Sequence, residues 1–210
     1  MKYFETLPTI IAKDPRGNSI VASNLLARVS FVSNLIQDPE LFYLYDIRDG
    51  DTPESVSNKY YNDPYKYWLI LLSNQMFDAN WDWPISQKLF FPYLTDKYSA
   101  ASASNNMTTL AYTQSTIKLY RKVITTIDGQ SSTPTTQKYI IDANSYNNLI
   151  VTTKTGVSSL GFTITQQTTK EFLSIYDWET EQNENKRSIQ LINAAYVNKI
   201  EKQFDSLMNR

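Results

Sequence analysis

The chain has 210 residues, with 20 basic and 21 acidic side chains, no cysteine and no histidine. The missing cysteines exclude disulfides, thiolate nucleophiles and Cys-ligated zinc, and the missing histidines remove the commonest general base and the Ser-His triad. A net charge of -1 offers no electrostatic capture of nucleic acid or of an anionic membrane.

The first residues carry Glu5, Pro8 and Asp14 where the apolar run of a leader would lie. The longest apolar stretch, Tyr67 to Leu72, falls far short of the ~20 residues that cross a bilayer. The expectation is a chain assembled in the cytoplasm, without a membrane span. Residues 1–18 read as an irregular arm broken by Pro8, Pro15 and Gly17. Leu25, Leu26, Val29, Val32, Leu35 and Ile36 recur at helical spacing, although Val29, Phe31 and Val32 also suit a strand. Residues 1–39 are therefore an arm followed by a short helix or strand.

Leu41 to Ile47, LFYLYDI, predicts a strand that ends at the polar turn RDGD. Thr52-Pro53-Glu54 then sets an N-cap, a proline at the first helical position and an acid facing the helix dipole, so a helix follows to about Tyr60. Asp63-Pro64 repeats the device, and a second helix runs to about Asn74. Its apolar residues surround the axis, which predicts burial on more than one side, with Tyr65, Tyr67, Trp68, Leu71 and Leu72 in the core. DANWDWPIS reads as a loop, and Gln87 to Tyr93 as a short edge strand closed by Pro92.

The Ser-, Ala- and Thr-rich residues 95–111 form a connector. Residues 112–192 are β-rich: IKLYRKVITTI, YIIDA, NNLIVTT and GFTITQ are β-branched or alternating runs, and SIQLI is a last strand. Pairing order is not readable from the pattern. Asn193 caps a terminal helix over 193–210, in which Val197, Ile200, Phe204 and Leu207 form a narrow stripe.

Strand, GDT turn, helix, turn, helix, loop and strand over residues 40–94 resemble a LysM module, a βααβ fold. Gly50-Asp51-Thr52, Asn74 and Gln87-Lys88-Leu89 with Pro92 carry the likeness. The Asn-Asp-Pro turn, Tyr67-Trp68-Leu69 and the DANWDW loop narrow it. The segment is similar to that of the LysM-containing baseplate wedge subunits of contractile-tailed bacteriophages, as is the end, with Arg187 to Ile192 before a last helix. The resemblance implies an α+β chain: a βααβ LysM-like module, a β-rich middle segment and a C-terminal helix. It implies a structural virion protein of the tail baseplate that joins neighbouring wedges around the tail axis, so that the ring closes. Other wedge proteins are the expected partners; no catalysis and no cofactor are expected.

Trp81 and Trp83 alternate in a polar loop, which makes them candidates for contact with a neighbouring subunit, together with Val197, Ile200, Phe204 and Leu207 of the terminal stripe. The stripe suits equally an internal core helix. Two other readings stay open. A carbohydrate-binding module for N-acetylglucosamine polymers of the bacterial wall would use Asp49–Thr52 and Phe77–Trp83 as a groove. An enzyme would need a carboxylate pair, Asp49 with Asp51 or Asp78 with Asp82, for glycoside hydrolysis, and the same acids could hold calcium. Acids at turns and caps are ordinary, so no catalytic or metal-binding residue is assigned.

Overall fold

In a computed structural model of the chain, residues 7–24, 40–131, 133–158 and 160–208 are described. The chain is mixed α and β and divides into two compact units, Met1–Gln87 with Asn183–Arg210, and Lys88–Gln182. The helix-or-strand segment expected around Leu25–Ile36 lies outside the described residues.

The first unit opens with a hairpin, β1 (Thr9–Lys13) paired antiparallel with β2 (Ser19–Ser23). This corrects the irregular arm. Pro15 and Gly17 are the turn of the hairpin, not breaks in a coil. Gly17 takes φ +85°, and the Asp14 carboxylate accepts the N–H groups of Arg16 and Asn18 at 2.9 and 2.8 Å. The same hydrogen bonds lower the Asp14 pKa, that from Asn18 most.

Strand β3 (Phe42–Asp46) follows, and then the GDT turn with Gly50 at φ +82°. Helix α1 (Pro53–Tyr61) begins as its sequence dictates. Thr52 and Ser55 exchange side-chain and backbone hydrogen bonds in a capping box, and Asn62 ends the helix in the left-handed region. Asp63 caps a single 3-10 turn, Pro64–Lys66, which leads into α2 (Tyr67–Ser73). Of the expected core residues of this segment, Trp68 is buried, Leu71 and Leu72 are half-buried, and Tyr65 is exposed; Leu69 and Ile70 are fully buried. The DANWDW segment contains one short turn of helix, α3 (Ala79–Asp82), capped by Asp78.

Gln87 to Tyr93 is not a strand. It starts the 18-residue helix α4 (Gln87–Ser104), whose Gln87 N–H donates to the Asp49 carboxylate at 2.8 Å. Pro92 sits inside the helix, exposed. The strand that pairs with β3 is β8 (Ser188–Ile192), antiparallel, with Tyr43 opposite Leu191 and Tyr45 opposite Ile189. Strand, helix, helix and strand are all present in this unit, but the closing strand comes from far downstream, not from residues 87–93. Helix α8 (Ala194–Met208) completes the unit. Two apolar clusters form here. Trp68, Leu69 and Ile192 pack with Val197, Ile200, Phe204 and Met208; Val56, Ile70 and Trp83 pack with Ile189 and Leu191.

In the second unit the expected connector is helical: α4 extends through it, and α5 (Thr109–Ser115) follows under a Thr108 cap. The β-rich expectation holds for β4 (Ile117–Asp128), β5 (Thr135–Ile141), β6 (Thr152–Val157) and β7 (Thr163–Ser174). They form one antiparallel sheet in the order β5-β4-β7-β6. Between β5 and β6 lies a short helix, α6 (Ala143–Asn148), started by the Asp142 carboxylate. Helix α7 (Ile175–Glu184) follows β7.

Candidate functional site

The acids singled out for catalysis or calcium are consumed by local structure. Asp51 accepts from Tyr45 Oη at 2.8 Å, from Lys59 Nζ at 2.5 Å and from the Arg48 N–H at 3.2 Å. Burial pushes its pKa up, but these donors outweigh it and hold the carboxyl below its ordinary value. Asp78 caps α3, Asp82 accepts the N–H groups of Phe77 and Asp78, and Asp49 serves the first N–H of α4. Among the described residues no group of three or more acids could hold a metal ion.

In the second unit two carboxylates of α7, Glu179 and Glu181, are held by basic partners. Glu179 of α7 accepts from Tyr98 Oη at 2.5 Å, Lys97 Nζ at 2.9 Å and Tyr93 Oη at 2.9 Å, all on α4. Burial opposes its ionisation; the three donors outweigh burial and lower its pKa. The Tyr98 hydroxyl is pushed up to about 12, by burial first and then by the carboxylate. A general acid needs the opposite shift in its carboxyl, so this cluster is a clamp between two helices. Arg121 of β4 plays the matching role on the sheet. It pairs with Glu181 at 2.7 Å and lies over the Trp178 ring at 5.6 Å.

The six candidate contact residues separate by exposure. Trp81 is 66% exposed and Leu207 50%. Trp83 is only 7% exposed, and its indole N–H donates to the Asp51 carbonyl at 2.8 Å. Val197, Ile200 and Phe204 are buried, Phe204 against Trp68 with ring centroids 4.6 Å apart. These four are packed inside their own unit, which leaves Trp81 and Leu207 as the members of the set with exposed surface. Two contact candidates that the loop pattern passed over are large. Phe77 stands four residues from Trp81 and is 76% exposed; on the first hairpin, Ile11 and Val21 face each other across the strands at 80% and 74% exposure. Phe77 could have been suspected from its spacing to Trp81. The hairpin pair could not, since the arm had not been read as strands. On the second unit Ile140, Ile150, Val157, Leu160 and Phe172 are likewise exposed.

Large apolar side chains face solvent on both units, while the carboxylates described above are tied into turns, caps and clamps, the character of a structural component with surface available to other chains. The sequence model of the family described as base plate wedge protein 53 matches residues 33–207, and the chain belongs to that family. It is thus a structural protein of the phage baseplate, located in the virion tail and associated with other baseplate proteins. No curated protein matches the chain. Among the described residues no helix is long and apolar enough to cross a membrane.

Proposed function

We propose that the chain joins neighbouring wedges, one copy contacting the next wedge around the tail axis so that the baseplate ring closes. The observation that carries this reading is the exposed aromatic pair Phe77 and Trp81, held on a capped turn beside the folded core of the first unit. Rigid aromatics on a small, preorganised turn are what interface hot spots use. Leu207, on the outer side of α8, is a second contact candidate. The near-balanced charge suits a surface that is largely covered in the assembly.

The test is sedimentation of wedges co-expressed with the wild-type chain or with Trp81→Ala plus Leu207→Ala. Closed rings are expected with the wild type and free wedges with the double variant. Intact rings with a folded double variant would sink the assignment. Insoluble peptidoglycan and chitin are run in parallel. Retention on either polysaccharide, lost on Trp81→Ala, would move the same aromatic pair to the carbohydrate reading.

A further inference from the structure

The first unit is closed by chain that returns after the second unit has been made. Gln190 of β8 is bracketed by the Asn74 carboxamide, which donates to its carbonyl at 2.8 Å and accepts its N–H at 2.8 Å across 116 residues. The Ser73 hydroxyl donates to the same carbonyl, and the Tyr61 hydroxyl donates to the carbonyl of Ile192. The crossing point itself is clasped. Asn183 Oδ1 accepts the Ile85 N–H at 2.6 Å, and its Nδ2 donates to the Ile85 carbonyl at 2.9 Å. Lys186 Nζ donates to the carbonyl of Trp81. Apart from the exposed Lys186 contact, these bonds satisfy part-buried backbone and amide groups, so the two segments are incomplete apart.

The geometry points to a conformational latch: residues 183–208 close the first unit and thereby fix the turn that carries Phe77 and Trp81. Before the chain has been made as far as α8, β3 lacks its partner strand, α2 lacks its apolar cover, Ile85 lacks Asn183, and the turn lacks Lys186 as its anchor. The latch is a statement about folding and stands without the joining role. Its consequence, that an unclosed chain presents no joining surface, rests on that role.

Hydrogen exchange on the intact chain tests the latch independently of assembly. Asn74→Ala is expected to raise exchange roughly tenfold, and by one common factor, in peptides from 42–46, 67–73 and 188–208. Peptides from 117–174 keep their protection. Leu191→Ala, which opens the core and leaves the hydrogen bonds in place, is expected to reproduce the pattern. Lys186→Met is expected to raise exchange only around residues 77–82. The latch is overturned if 42–73 stays protected while 188–208 loses protection, since the returning segment is then an appendage. It is equally overturned if 117–174 loses protection by the same factor, or if the 77–82 peptides ignore Lys186→Met.

Discussion

Trp81 and Trp83 are two residues apart and have opposite fates. Trp83 fills the cluster of Val56, Ile70 and Ile189 and donates its indole N–H to Asp51; the Trp81 side chain is 66% exposed, and only its backbone is engaged in the contacts described, by Asp78 and Lys186. Trp83→Ala should therefore cost about 3–5 kcal/mol of stability, the usual range for emptying a buried aromatic site. Trp81→Ala should stay within about 0.5 kcal/mol of wild type, as exposed substitutions do. Urea denaturation of the two variants checks both, and the contrast separates a folding residue from a contact residue. Alternation in a polar loop marked both indoles as special and could not say which one turned inward. That depends on where the Asp51 carbonyl and the first unit's core sit in space.

At the scale of the element, α4 is where local pattern and fold disagree most. QKLFFPY has the aromatic content of an edge strand, and a proline six residues into a helix is unfavourable. The segment is helical because Asp49 accepts its first N–H and because Tyr93, Lys97 and Tyr98 reach Glu179 from successive turns of one face. Both are tertiary facts. Since Pro92 is exposed and costs a helical hydrogen bond, Pro92→Ala should stabilise the chain by roughly 1–3 kcal/mol, read as a higher thermal midpoint. The terminal helix teaches the opposite lesson. Its stripe was legible down to Phe204, and only its last member was displaced, from Leu207 to Met208. At 3.6 residues per turn both positions lie about 50° from the centre of the stripe, so periodicity has no means of choosing. Contact with the first unit's core chooses Met208.

For the molecule as a whole, pH should act on the second unit through Glu179. Its folded pKa lies below the ordinary value, so its contribution is full above the unfolded carboxyl pKa and is lost as pH falls through the folded one. The Tyr98 hydroxyl runs the other way. Its contribution is full below the ordinary tyrosine value of 10.0 and is lost as pH rises toward about 12. Thermal midpoints followed from pH 7 downward should show the acid loss, and Glu179→Gln should flatten that limb. The same substitution should lower stability at pH 7 by roughly 2–3 kcal/mol, because charge-assisted hydrogen bonds are replaced by weaker ones.

The sequence by itself determined the α and β content, the two capped helices after the GDT turn, the strands of the middle segment and the apolar stripe of the last helix, though not that the stripe faces inward. These rest on caps, turns and periodicity, which act over a few residues. Only the tertiary structure decided that β8 closes against β3, that α4 is a helix, that the arm is a hairpin and that Trp83 is core while Trp81 is surface. Each of those depends on a partner distant in the chain, such as Asn74 for Gln190 or Asp49 for Gln87, and a partner at that separation leaves no period in the sequence.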